Sequence, residues 1–154
     1  MILVALGSNL GDRAGQLTRA RQMMNAQGMN IVAESSLHET PALMPENAPE
    51  SWNIPFLNQV VQVETTASAV EVLAQLKAIE VALGRTPRER WAPREVDLDI
   101  IAYDALTMES ETLTLPHPQM HLRRFVLAPL NEIAPEWMHP VLRKTTTQLL
   151  AECA

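Results

Sequence analysis

The chain of 154 residues holds one cysteine, Cys153, beside its last residue. With no second thiol there is no internal disulfide and no cysteine metal cage, which argues against a disulfide scaffold and against redox chemistry. Long apolar runs are also missing, and the longest fall far short of the roughly 20 residues that a membrane span needs. The opening MILVALGSN has neither a basic leader nor a small-residue cleavage site and passes straight into a turn. It reads as a strand, and a cytoplasmic location is the expectation. Positive charge is scarce: 12 Lys and Arg stand against 18 Asp and Glu, a formal net charge of -6. Duplex binding relies on a broad basic surface, so nucleic acid is not expected as a partner, and neither is a membrane. There is no internal repeat, no low-complexity tract and no G-x-x-x-x-G-K-[ST] loop, which removes the usual phosphate cradle. What remains is an ordinary globular composition, 47% hydrophobic and 19% charged. A soluble, monomeric, single domain over residues 1–154 is expected.

Periodicity supplies the elements. Met1 to Leu6 is a continuous apolar run ended by GSNLGD, as for a central strand covered on both faces. Leu17, Ala20, Met23 and Met24 recur at helical spacing over about 13–27, up to Gly28. Ile31 to Thr40 reads as a second strand, and FLNQVVQVET from Phe56 alternates as a half-buried third. Between them, TPALMPENAPESWNIP carries four prolines and no period; a loop this long in a small domain is usually functional. Ser68 and Glu71 form a capping box before a helix whose stripe is Val72, Leu76, Ile79 and Leu83, with Gly84 as the stop. VDLDIIAYD is a further strand, LTM and LTL flank a turn as a hairpin, RRFVLAPLNEIAP is a short helix interrupted near Pro129, and TTTQLLAEC is a last helix. The order β-α-β-β-α-β predicts an α+β fold: a ferredoxin-like βαββαβ core with an antiparallel sheet, both of its helices on one face, an added hairpin and C-terminal helices, the last of them placed to cover the other face.

Scarce as cations are, Arg85, Arg88, Arg90 and Arg94 fall within ten residues, a third of the twelve basic side chains. Directly after them comes VDLDI. Strand side chains alternate, so Asp97 and Asp99 share one face while Val96, Leu98 and Ile100 take the other. Their carboxylates then lie about 7 Å apart along the strand, a spacing that can hold two cations about 4 Å apart for in-line phosphoryl chemistry. Mg²⁺, a hard ion that takes one or two carboxylates and phosphate oxygens, is the expected metal. D-x-D alone more often marks a solvated edge strand, and the arginines could be its counter-ions. Four arginines exceed what two aspartates need, however, and guanidinium forks fit phosphate oxygens two at a time, which points to a polyphosphate ligand.

ALGSNLGD, ETPAL, FLNQVV, IEVALGR followed by RWAPREVDLDI, and LPHPQMHLRRFVLAPLNEIAPEW occur in one order along nearly the whole chain. In this the chain resembles the 6-hydroxymethyl-7,8-dihydropterin pyrophosphokinase family of folate biosynthesis. The resemblance implies a ferredoxin-like core and transfer of pyrophosphate from the co-substrate ATP to the hydroxymethyl group of a reduced pterin, with release of AMP. It implies that Asp97 and Asp99 hold two Mg²⁺ ions and that Arg85 and Arg94 act with them as catalytic residues. Arg88, Arg90, Trp91, His117 and Arg123 match positions on the nucleotide side, and Glu80, on the exposed edge of the second helix, matches a glutamate near the nucleotide. Phe56 and Phe125 match two aromatics that sandwich the pterin, Asn58 a side chain that reads its polar edge, and Thr40 and Leu43 loop residues whose backbone does the same. A planar heterocycle gains from stacking, and its amide-like edge needs partners once buried. The proton acceptor and the separate roles of Arg88 and Arg90 stay open. So do three alternatives: a paralogue with altered pterin specificity, a non-catalytic ferredoxin-like binding module, and a nucleotidyl transferase that would release pyrophosphate.

Overall fold

A computed structural model of the chain describes residues 1–42, 44–86 and 92–153. Strand β1 (Ile2–Ser8), helix α1 (Arg13–Ala26), strands β2 (Asn30–Glu34), β3 (His38–Thr40) and β4 (Phe56–Glu64), helix α2 (Ala69–Ala82) and strand β5 (Asp97–Tyr103) build the core. The hairpin β6 (Met108–Glu109) and β7 (Thr114–Leu115) and helices α3 (Arg124–Ile133) and α4 (Thr146–Glu152) follow. The sheet runs β2-β4-β1-β5, with β3 also paired to β4, and each of its pairings is antiparallel. With β2 and β3 taken as one interrupted strand, this is the ferredoxin-like arrangement, as expected.

Alternation along the strands divides the apolar residues between two cores. Val4 and Leu6 of β1, Val61 and Val63 of β4, and Leu98 and Ile100 of β5 meet Leu17, Ala20 and Met24 of α1 and Val72, Leu76 and Ile79 of α2. The capping box is present: Ser68 Oγ accepts from Glu71 N–H, and Glu71 Oε1 accepts from Ser68 N–H. On the other face Leu3, Val60, Ile101 and Ala102 pack against Val126, Leu127 and Leu130 of α3 and Leu149 of α4. The pairing of β1 with β5 shifts between Leu3 and Val4, so Ile101 and Ala102 both enter this second core; one extra residue in a ladder has that effect. The second core covers one end of its sheet face. The other end, where β1 and β4 meet the start of β5, stays open.

Three local expectations need correction. The second strand is broken: from Glu34 to His38 the chain takes four steps while its partner takes three, from Val61 to Asn58. Ser35 fills the gap: its N–H keeps a ladder bond to Val60 C=O at 3.0 Å, while its Oγ accepts Val60 N–H and its carbonyl accepts Gln59 Nε2–H. Strand β4 is not half-buried. It lies between β1 and the β2/β3 edge, and from Asn58 to Val61 the residues of both its faces are buried, Asn58 and Gln59 among them. Gln59 is kept satisfied by Ser35 and by Arg21, whose Nη1 donates to Oε1 at 2.6 Å. Lastly, α3 runs through Pro129 without interruption. A proline there forfeits one helical bond at a cost of about 3 kcal/mol, and burial of Val126, Leu127, Pro129 and Leu130 on one side of the helix offsets it.

Candidate active site

Cross-strand register builds the floor of the open sheet end. His38 opposes Asn58, Asn58 opposes Gly7, and Gly7 opposes Asp97, so these four residues share one row and one face. One step along, Ala5 lies between Val60 and Asp99. Because β1 contributes only Gly7 and Ala5, a hollow remains between the amide of Asn58 and the two carboxylates. Gly7 has a specific reason to lack a side chain: a Cβ would stand 3.3 Å from Asn58 Oδ1 and 3.7 Å from the Phe56 ring. The hollow is a cavity of about 880 Å³. It brings together ten residues expected from the sequence: Thr40, Phe56, Asn58, Arg85, Arg94, Asp97, Asp99, His117, Arg123 and Phe125. Leu43, Arg88, Arg90 and Trp91 lie outside the described residues.

The two walls differ in chemistry. On the β3/β4 side, Asn58 Nδ2 donates to Thr40 Oγ1 at 2.7 Å, which fixes the amide's orientation. Phe56 enters from β4, and Phe125 from the first turn of α3, with the Arg123 guanidinium 5.5 Å from its ring centre. On the β5 side, Arg85 Nη1 donates to Asp97 Oδ1 at 3.0 Å, and Arg94 Nη1 lies 3.4 Å from Asp97 Oδ2. Asp99, most of its surroundings protein, has neither hydrogen bond nor ion pair among the described residues. Burial, then the neighbouring Asp97 charge, pushes its carboxyl up to about 6. His117 is driven the other way, to about 4, by burial and then by the Arg123 charge. It is therefore neutral near pH 7. Its Nδ1 accepts from Gln119 N–H at 3.2 Å, which leaves the proton on Nε2 as a donor.

Glu80 requires a correction. It is not on an exposed edge: its side chain is 4% exposed and is not among the residues lining the cavity. Oε2 accepts from Leu98 N–H at 2.8 Å and from Arg85 Nη1 at 2.7 Å, while Oε1 pairs with Lys77 at 3.3 Å. The carboxylate thus ties α2 to β5 and aims Arg85 at Asp97.

A family model described as 7,8-dihydro-6-hydroxymethylpterin-pyrophosphokinase (HPPK) matches residues 3–135. The chain belongs to the HPPK family. A 2-amino-4-hydroxy-6-hydroxymethyldihydropteridine pyrophosphokinase of Bacillus subtilis is 40% identical over 131 residues, 84% of this chain and 75% of the relative. A folate synthesis bifunctional protein of Chlamydia trachomatis is 35% identical over 136 residues, but the chain spans only 30% of that protein's length. A crystal structure of wild-type Plasmodium falciparum HPPK-DHPS superposes with a TM-score of 0.73 at 17% identity, covering 98% of this chain and 44% of that one. The last likeness concerns the fold.

A divalent cation, implied for an HPPK chain, fits the residues present. Asp97 and Asp99 face one cavity from one strand, and Asp99 is a partly desolvated carboxylate with no cation bonded to it among the described residues. Sequence reasoning missed other residues that build or border the cavity. Gly7 and Ala5 are legible only through register. Lys77 lines the cavity, although its spacing along α2 shows only a pairing with Glu80. Asn9 is 1% exposed, and nothing but the quoted GSN run pointed to it.

Proposed function

We propose that this HPPK-family chain transfers a pyrophosphoryl group from ATP to the hydroxymethyl oxygen of 6-hydroxymethyl-7,8-dihydropterin. The oxygen attacks the β-phosphorus and loses its proton, the bond from that phosphorus to the α-phosphate oxygen breaks, and AMP leaves with the bonding electrons. The observation that carries this reading is one cavity with two unlike walls: Phe56, Phe125, Asn58 and Thr40 on one side and Asp97, Asp99, Arg85 and Arg94 on the other, with Arg123 against the Phe125 ring. Asn58, held by Thr40, offers the polar edge of the heterocycle a fixed amide, and the two phenylalanines offer stacking surface.

Asp97 and Asp99 would hold Mg²⁺, two ions by the family resemblance, which would neutralise the triphosphate and activate its β-phosphorus. Arg85 and Arg94, paired to Asp97 without ligand, can turn their remaining N–H groups to phosphate oxygens, where charge builds up in the transition state. Arg123, Lys77 and the Nε2–H of His117 complete a donor-rich wall. Arg88, Arg90 and Trp91 are assigned to the nucleotide, Glu80 to the nucleotide side through Arg85, and Leu43 to the pterin edge. Catalysis on this reading is positioning plus electrostatics. Among the described residues no helix is long and apolar enough to cross a membrane, and we assign the chain to the cytoplasm as a single-domain monomer.

One incubation with ATP, Mg²⁺ and the pterin tests the reading. AMP and pterin diphosphate in equal amounts support it. ADP would indicate a simple kinase, pyrophosphate a nucleotidyl transferase, and binding without any product a non-catalytic module; each overturns it.

A further inference from the structure

We propose that Asn9 is a positioning residue that holds the pterin-reading wall and the phosphate-holding wall at a fixed separation. The carboxamide sits where β1 ends, buried to 1% exposure, and spends each of its groups on a different segment. Oδ1 accepts Arg94 N–H at 2.8 Å, and the backbone N–H of Asn9 donates to Arg94 C=O at 3.2 Å. Both backbone groups of Arg94 are thus taken by one residue, three positions before Asp97. Nδ2 donates in the other direction, to Ile54 C=O at 3.2 Å, two positions before Phe56. Segments 40 residues apart in sequence are joined through one planar group. An amide suits this place because it carries a donor and an acceptor at opposite ends of a rigid plane. Ser8, fully buried, adds a bond on the phosphate side only, donating from Oγ to Glu95 C=O at 2.6 Å.

The asymmetry makes the proposal testable, and it rests on the pyrophosphoryl-transfer reading. Asn9→Asp keeps the acceptor for Arg94 but, ionised at about pH 8, has no donor for Ile54. Ser8→Ala loses the Glu95 bond and leaves Ile54 alone. Initial rates of AMP formation are measured for both variants against each substrate, with melting temperatures alongside. Asn9→Asp is expected to raise KM for the pterin about tenfold, the cost of one hydrogen bond, with KM for ATP within about twofold. Ser8→Ala is expected to do the reverse, raising KM for ATP about threefold and leaving the pterin unaffected. Equal changes in both constants within each variant, or no change in either, overturn the proposal, since loss of global stability lowers active concentration without separating the two KM values. Should Asn9→Asp not fold, Ser8→Ala still carries the test, since a folded Ser8→Ala variant that changes both KM values equally, or neither, overturns the proposal. Absence of AMP from the unmodified protein would instead overturn the assigned reaction.

Discussion

Arg85 Nη1 lies 3.0 Å from Asp97 Oδ1 and 2.7 Å from Glu80 Oε2, so one nitrogen joins a carboxylate of the cavity to a carboxylate of the core. Removing Glu80 should therefore have two effects at once. Glu80→Ala leaves Leu98 N–H buried without its acceptor and Arg85 without its anchor. A loss of about 2 to 3 kcal/mol in urea unfolding is expected, together with a fall in AMP formation at saturating substrates. A variant that is destabilised but retains full turnover would show that Arg85 needs no aiming.

Asp99 is held at a cost to the fold, since its carboxylate is desolvated and stands near Asp97. Asp99→Asn removes the charge while nearly keeping the shape. At about pH 8 its melting temperature is expected to equal or exceed that of the parent, while AMP formation falls by about 100-fold or more. A clear drop in melting temperature would mean that the charge stabilises the apo fold.

Gly7→Ala places a methyl group 3.3 Å from Asn58 Oδ1 and 3.7 Å from the Phe56 ring. Both neighbours line the cavity on the side proposed for the pterin. KM for the pterin should rise about tenfold with KM for ATP nearly constant, because overpacking displaces the groups that read the ring. Pterin titration followed by its own fluorescence checks the same point without turnover.

Acid should weaken the fold in two successive windows. His117 has a folded value of about 4, below its ordinary 6.5, so the stability from keeping it neutral is complete above 6.5 and is lost as pH falls towards 4. Burial, and then the neighbouring His121, lowers His139 as well, and it contributes in the same direction. Glu132 is held down by the Ser36 N–H and by His38, so its contribution is present above 4.5 and fades below that. Melting temperature followed from pH 7 to 3 should begin to fall below about 6.5, and His117→Gln should flatten the first part of that fall. A profile for His117→Gln identical to the parent's would remove His117 from this account.

Much of the site was legible because its chemistry is concentrated. The arginine cluster against a net negative chain, and two aspartates at a spacing of two in an apolar run, single out Arg85, Arg94, Asp97 and Asp99, which the fold brings to one cavity. Phe56, Asn58 and Phe125 were legible only through resemblance, since a phenylalanine in a strand or helix is ordinarily core. Spacing to Lys77 and Arg85 suggests a surface pair, whereas the Glu80 carboxylate is 4% exposed and turns inward to accept Leu98 N–H, with Lys77 still half exposed. The break at Ser35 was illegible because serine and leucine are as compatible with a strand as with a bulge. The outcome depends on Gln59, 24 positions away.

Periodicity and capping by themselves determined the order of the main helices and strands and the apolar stripe of α1 and α2, since those follow from local geometry repeated along the chain. They also determined that Asp97 and Asp99 point together. Only the tertiary structure decided that a side chain at Gly7 would crowd Asn58, that Asn9 lies between two loops and that Glu80 serves Arg85. Each of these depends on what another strand or loop brings within hydrogen-bond distance, and pairing register, which no single segment encodes, is what sets those distances.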